Sequence, residues 1–315
     1  MRDITNQRIL VTGAAGFVGT AVVQALHSRG CANVDTPSSK ECNLLDHTSI
    51  GDYICANTPD ILIHVAARTG GIAWNAAHGA AAFHDNLLMA INAFDAAARH
   101  ACSHITHVST SIAYPANAQV PFCEDDLWNG LPGGPTAGYA HAKKIGGLLL
   151  SHITREYDMT GAVVMPANIY GRGARMDSDR SNVVAAMTHR FVDAKRRSLA
   201  AVQCWGSGTA EREFIHINDV AEGIVLATER VDDPSPINLG TGKSVTIRRL
   251  AELAANAAGW SGEIGWDTTK PDGVPKVCCD ISRMRSMLDW TPTTSLDDGL
   301  RDMVHWYKNL GETGS

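Results

Sequence analysis

A phenol and an ammonium stand four residues apart in Tyr139-Ala-His-Ala-Lys143. On a helix that spacing puts both groups on one face, within reach of each other. An unperturbed tyrosine, with a pKa near ~10, is a poor acid or base at neutrality, and a neighbouring cation stabilises its phenolate. The pair therefore suits proton exchange with a carbonyl or alcohol oxygen. Thr110 lies at the end of the run Ile105 to Ser109, with Ser111 beside it, and offers a hydroxyl to hold the same oxygen. Thr110, Tyr139 and Lys143, with Ser111 as a further candidate, are suited to hydride transfer at the carbon bearing that oxygen. For Tyr-x-x-x-Lys alone, the plain alternative is a solvated helix face.

Hydride transfer needs a donor, and the stretch Arg8 to Gly19 supplies the place for one. Ile9, Leu10 and Val11 form an apolar run suited to a strand buried on both faces. Gly13, Gly16 and Gly19 follow at three-residue spacing, with Phe17 and Val18 between them, before a helical pattern through Val22, Val23 and Leu26. Glycines in such a strand-turn-helix allow the tight turn, the close approach of a pyrophosphate and close helix–strand packing. The helix start then presents N–H groups and the positive end of its dipole to the phosphates. Gly-x-x-Gly-x-x-Gly resembles the turn of the extended short-chain dehydrogenase/reductase superfamily.

Other strands follow at Asn33–Asp35, Ile61–Val65, Ile105–Val108 and Ala162–Met165, separated by helical segments. Phe83, Leu87, Ile91 and Phe94 repeat at helical spacing, and a second long helix is expected over Tyr139–Tyr157. The alternation predicts an α/β fold with a doubly wound parallel sheet, Rossmann-like, and a smaller α/β substrate domain toward the C-terminus. Residues 115–138 read as a long loop near a site, and Pro166-Ala167-Asn168 sends the chain out of the sheet. Further elements are a helix over Asn182–Lys195, strands at Val202–Trp205 and Phe214–His216, and a helix from Asn218. The strand Ile237–Leu239 is expected to return to the sheet. We therefore assign residues 1–166, with 217–245 returning, to dinucleotide binding, and 167–216 with 246–315 to the substrate. Ser295 caps a last helix with Leu296, Leu300, Val304 and Tyr307 on its apolar face.

The formal charge of −6 has no strong local bias and no long basic run accompanies it, which argues against a nucleic-acid partner. No apolar run approaches the ~20 residues that span a bilayer, and the N-terminus lacks a signal-peptide core, so a cytoplasmic protein without membrane association is expected. The eight cysteines and thirteen histidines show no metal-ligand spacing, and no metal is expected. Free, buried thiols are the reading, with Cys278 and Cys279 on alternate faces of a strand.

Nearly the whole chain resembles the GDP-L-fucose synthase family. The likeness is carried by Asn43-Leu-Leu-Asp46, Pro59 to Ala67, Gly70-Gly-Ile72, Tyr114-Pro115, Tyr139 with Lys143, and Met165 to Gly171. It continues in Trp205 to Thr209, Arg212-Glu-Phe-Ile-His216 and Lys270-Pro-Asp-Gly273. The resemblance implies a GDP-linked keto sugar as substrate, NADP(H) or NAD(H) as cofactor, and a homodimer built on the two long helices. It implies cofactor contacts at Gly13, Gly16, Phe17, Val18, Gly19, Asp35, Asn43, Leu44, Ala66, Ala67, Tyr139, Lys143, Pro166 and Asn168. Substrate contacts are implied at Asn168, Asn182, Val183, Arg190, Trp205, Arg212 and Lys276, the arginines on the diphosphate and Trp205 on the base or ribose.

Two departures matter. Similar enzymes invert C3 and C5 with a cysteine and a histidine before reducing C4, and the matching positions here are Ile112 and Asn182. Neither exchanges a proton near neutrality, so a C4 reductase without epimerisation is expected. Ser111, His189 or Cys123 taking over the proton transfers is the alternative. Second, Pro37-Ser38-Ser39 stands where similar enzymes place an arginine for the 2′-phosphate of NADP, while Asp35 could bond a free ribose diol. NADPH and NADH both stay open. A 4,6-dehydratase would need an acid/base pair after Thr110, which Ser111-Ile112 is not. An NAD-dependent 4-epimerase shares the Thr, Tyr and Lys set, and a non-catalytic dinucleotide sensor would not need it.

Overall fold

The computed structural model describes residues 1–175, 181–270 and 272–310. Its first half alternates strand and helix: β1 (Ile9–Thr12), α1 (Phe17–Ser28), β2 (Val34–Asp35), α2 (His47–Asn57), β3 (Ile61–His64), α3 (Ile72–Ala77), α4 (Gly79–Arg99), β4 (His104–Val108), α5 (Ala137–Glu156) and β5 (Thr160–Pro166). The second half is β6 (Asn168–Tyr170), α6 (Val183–Arg196), β7 (Ala201–Trp205), β8 (Glu211–His216), α7 (Ile217–Arg230), β9 (Pro236–Leu239), β10 (Ser244–Thr246), α8 (Ile247–Ala258), β11 (Glu263–Asp267), β12 (Lys276–Val277), α9 (Ser282–Leu288) and α10 (Leu296–Leu310).

Six parallel strands form the main sheet in the order β2-β1-β3-β4-β5-β9. Every residue of β1, β3 and β4 is buried, as helices on both faces require, and in β4 that includes the polar His104, Thr106 and His107. One face is closed by α1, α7 and α9 around Val22, Ile224 and Met284, the other by α2, α4 and α5 around Ile50, Phe94 and Leu150. The sheet is thus Rossmann-like and doubly wound. A smaller α/β layer follows, in which β8 pairs with β6, β10 and β12 while β7 pairs with β11. Its core gathers Phe191, Leu250 and Leu300 from α6, α8 and α10, with Trp260 just past α8. No described helix is long and apolar enough to cross a membrane.

Glu213 in β8 joins the two layers. Its carboxylate, fully buried, accepts from the backbone N–H groups of Gly242 at 2.7 Å and Cys279 at 2.7 Å, and its carbonyl accepts from Asn168 Nδ2 at 2.8 Å. Such charge-assisted bonds satisfy a carboxylate that burial alone would penalise.

The pattern misses α3, α8, α9, β10, β11 and β12. The inner stripe of α8 is Leu250 with Ala251, Ala254, Ala255 and Ala258, a periodic pattern present in the sequence, whereas β10 and β12 exist through pairing with β8. Residues 115–138 are more ordered than a plain loop. A 3-10 turn spans Glu124–Trp128, and Lys144 Nζ donates to the carbonyls of Leu127 at 2.6 Å and Gly130 at 2.8 Å. Cys278 and Cys279 follow β12 instead of alternating within a strand, and both are buried.

Gly13 adopts φ +74°, and a Cβ there would lie 2.7 Å from Cα of Ala66. At Gly19 a Cβ would lie 2.1 Å from the Gly13 carbonyl oxygen. Both contacts are with backbone, which cannot swing away. Gly51, inside α2, has nothing within 4 Å of such an atom. Gly19→Ala is therefore expected to destabilise by about 1–3 kcal/mol, and Gly51→Ala to stabilise by about 0.5–1 kcal/mol, read from thermal or urea unfolding.

Candidate active site

Three strand ends and one helix build the site. Lys143 lies in α5 with only 3% of its surface exposed, and its Nζ donates to the carbonyl of Ala66, just past β3, at 3.1 Å. The Lys143 carbonyl accepts from Ser109 Oγ at 3.3 Å and from His107 Nε2 at 3.1 Å, at the end of β4. Tyr139 sits one helical turn earlier in α5. Thr110 caps a 3-10 turn, Ser111–Ala113, which packs against α5. Ser111 is buried, and the Thr110 hydroxyl accepts weakly from the Ile112 N–H at 3.4 Å, which leaves its own proton to give.

Burial sets the protonation states. It pushes the Tyr139 phenol up to about 12 and the Lys143 ammonium down to about 7. Loss of hydration disfavours the charged form of each group. The expected lowering of the Tyr139 pKa by Lys143 is thus not the resting condition: desolvation prevails, and the phenol keeps its proton.

The turn at Gly13–Gly19 fits a dinucleotide. Gly16 N-caps α1, and Gly13 lets the turn pack directly against the backbone of Ala66. The early N–H groups of α1 at Phe17 and Val18 are suited to phosphate oxygens. Ala67 is exposed at the end of β3. Asn43 Oδ1 accepts from Leu45 N–H at 3.1 Å, and the Leu44 carbonyl accepts from Asn92 at 2.9 Å, which fixes the loop before α2. Asp35 receives the Tyr53 hydroxyl on both carboxylate oxygens, at 2.8 and 2.7 Å, and so ties β2 to α2. Pro166 ends β5 and Asn168 begins β6, where the chain leaves the main sheet.

On the substrate side the residues separate. Arg212 is half-buried and near Gly273, and its Nη1 donates to the Glu211 carbonyl at 2.8 Å. Trp205 is 69% exposed at the end of β7. Lys276 is held by Glu211 at 2.8 Å. Arg190 Nη1 donates to the Gln203 carbonyl at 2.9 Å, and with His189 it lines a groove of about 450 Å³ between α6 and β7. Asn182 N-caps α6: its Oδ1 accepts from Ala185 N–H at 2.9 Å while its Nδ2 donates to the Ile169 carbonyl at 3.0 Å. Val183 follows it, exposed. Pro271, within the Lys270–Gly273 segment, lies outside the described residues. Spacing alone did not single out His107 and Ser109, although strand alternation points both to the same face.

The sequence from residue 9 to 240 matches the model of the NAD dependent epimerase/dehydratase family. The chain belongs to that family. Within it, the protein is a GDP-L-fucose synthase-like member of the extended short-chain dehydrogenase/reductases, an NAD(P)-dependent oxidoreductase acting on a nucleotide sugar. The putative GDP-L-fucose synthase 2 of Arabidopsis thaliana is 34% identical over 303 residues, covering 96% of this chain and 92% of that one. Among solved structures, a GDP-6-OMe-4-keto-L-xylo-heptose reductase from C. jejuni superposes with a TM-score of 0.90 at 25% identity, covering 98% of this chain and 100% of its own. A GDP-mannoheptose C4 reductase from Campylobacter jejuni with NADP bound gives 0.87 at 25%, covering 96% and 99%.

Two expectations follow from the geometry. Tyr139→Phe should lower kcat by about 10²–10⁴-fold with cofactor affinity nearly unchanged, measured by initial rates and cofactor titration. Lys143 takes its proton in the folded protein only below about pH 7, whereas the unfolded chain holds it to about 10.5. The cost of burying the charge is complete below pH 7 and fades as the pH rises toward 10.5. Lys143→Met is therefore expected to raise the melting temperature most below pH 7, with the advantage shrinking up to pH 10.

Proposed function

We propose that this protein reduces C4 of a GDP-linked 4-keto sugar, of 6-deoxyhexose or heptose type, without inverting C3 or C5. The observation that carries the reading is the state of Ile112 and Asn182. Ile112 is 38% exposed and has no proton to exchange, and both ends of the Asn182 amide are committed to backbone at the start of α6. Two of the three other candidates for the proton transfers, His189 and Cys123, are engaged elsewhere or held protonated, which leaves Ser111. His189 packs edge-on against Tyr307, and burial together with the carboxylates around it pushes the Cys123 thiol up. Similarity to two C4-acting or keto-sugar reductases of GDP-heptoses supports the same step.

The glycine turn, Ala66 and Lys143 would hold a reduced nicotinamide, whose chemistry when bound would be hydride donation. Thr110 donates its hydroxyl proton to the C4 oxygen and orients it. Tyr139 transfers its phenolic proton to that oxygen as the carbon gains hydride, and the product is a secondary alcohol. The resulting phenolate is stabilised by Lys143, whose burial leaves it able to take up a proton near neutrality, and it regains its own proton from solvent. Arg212 and Arg190 are assigned to the diphosphate, Trp205 to the base or ribose, Asn168, Asn182 and Val183 to the sugar side, and Lys276 to the nucleotide. NADPH or NADH serves as donor. Asp35 and Glu41 both place negative charge near the end of β2, and the ratio of kcat/KM for the two cofactors tests the preference.

A homodimer is part of the proposal. Phe83 and Ile91 on α4 and Leu148 on α5 are 36%, 41% and 41% exposed on adjacent helices, an apolar face that a second copy would cover. Leu148→Asp should then yield monomers in sedimentation velocity.

Reaction of GDP-4-keto-6-deoxymannose with reduced cofactor in D₂O, followed by NMR, tests the function. Protium retained at C3 and C5 of a reduced sugar is expected. Deuterium at those carbons would establish an epimerase/reductase using other acid/base residues, and turnover without net cofactor consumption an NAD-dependent 4-epimerase. Arg212→Ala should raise KM for the nucleotide sugar about tenfold or more with kcat less affected.

A further inference from the structure

Beneath α5, a row of polar side chains crosses the centre of the apolar sheet. Thr12, His64 and His107 are register partners on β1, β3 and β4. Thr12 Oγ1 and His64 Nδ1 are 3.0 Å apart, and the rings of His64 and His107 stack at 5.7 Å with Phe94 edge-on to both. Both histidines are wholly buried, and burial holds them neutral, His107 down at about 3. A neutral imidazole has one N–H to give. His107 gives it from Nε2 to the Lys143 carbonyl, 3.1 Å away.

That bond is unusual in its target. A carbonyl in mid-helix already serves the turn above it, and in a packed interior a second donor is kept only where something fixes it. The contact is close on every side. A Cβ on Gly146 would lie 3.0 Å from His107 Nε2, tighter than ordinary van der Waals contact, so glycine lets α5 settle this near β4 without displacing the ring. Ser109 donates to the same oxygen from the next inward-facing position of the strand.

We infer that His107 is a positioning residue for hydride transfer: its Nε2–H fixes the height and rotation of α5 over β4, and thereby where Tyr139 and Lys143 stand relative to Thr110. The inference rests on the Thr110, Tyr139 and Lys143 assignment, and not on the identity of the sugar. His107 is wholly buried between α5 and the sheet. It acts through the one peptide group of α5 whose residue also carries the catalytic ammonium. An error of 1 Å in such an arrangement costs about 10²-fold in rate.

Full-length His107→Phe, His107→Gln and Ser109→Ala test it, with reduction of GDP-4-keto-6-deoxymannose and NADPH titration as readouts. Phenylalanine keeps the packing against Phe94 and removes the donor, whereas glutamine restores an N–H at nearly the same reach. The expected result for His107→Phe is a kcat lowered about 10- to 100-fold, with KM and NADPH Kd within about twofold, and recovery to within about threefold in His107→Gln. A kcat for His107→Phe within about twofold of the parent, or equal losses in both variants, overturns it. If His107→Phe does not fold, Ser109→Ala decides: a loss confined to kcat supports the positioning role, and an unchanged kcat overturns it. Titration of Lys143 by NMR of ¹³C-lysine-labelled protein needs no sugar. Its midpoint should move in His107→Phe and return in His107→Gln, and a midpoint unmoved overturns the inference. A parent enzyme inert toward GDP-keto sugars would overturn the proposed substrate alone.

Discussion

Lys143 carries a charge into a place that water scarcely reaches, and much of the surrounding structure is the means of keeping it there. Its Nζ meets the Ala66 carbonyl at the end of β3, while its own carbonyl is gripped from β4. The same burial that lowers the proton affinity of the lysine raises that of Tyr139. A protonated phenol next to an ammonium close to its midpoint is a resting state ready to give a proton and then to tolerate the phenolate left behind. Groups with opposed shifts in one pocket mark an acid/base site more strongly than their types alone.

The glycine turn contributes to the same arrangement from the other side. Gly13 brings the β1 end against Ala66, the residue that receives Lys143, so the glycine turn proposed to hold the phosphates and the helix proposed to carry the chemistry share one short piece of backbone. Cofactor grip and proton chemistry are therefore mechanically adjacent. Placement of this kind depends on rigid elements and not on loops.

Much of this was legible in the sequence because it rests on local rules. Apolar runs at Ile9–Val11 and Ile61–Val65, short and bounded by turn signals, read as strands covered on both faces, and the helical segment around Tyr139 and Lys143 puts the two on one face. The return of Ile237–Leu239 to the main sheet was readable for the same reason. What was not legible depends on partners distant in the chain. β10 and β12 are strands because β8 lies between them. Asp35, which from its place at the end of β2 could bond a ribose diol, is met by Tyr53 from α2, a contact that no spacing announces. Asn182 shows a local signal that was outweighed: asparagine ahead of an apolar helix is a cap, and here it is one.

Glu213 bears on how specificity in this scaffold can change. One carboxylate pins the turn after β9, the segment after β12 and, through its own peptide group, Asn168. The smaller layer, which we propose faces the sugar, is consequently not a cassette. Its strands come from stretches of chain on either side of a passage back through the main sheet, and they are laced together at a single buried side chain. Grafting a pocket from a relative as one contiguous block would cut that lacing, so a shift in substrate preference has to accumulate through individual replacements at the rim, made around an anchor that stays in place.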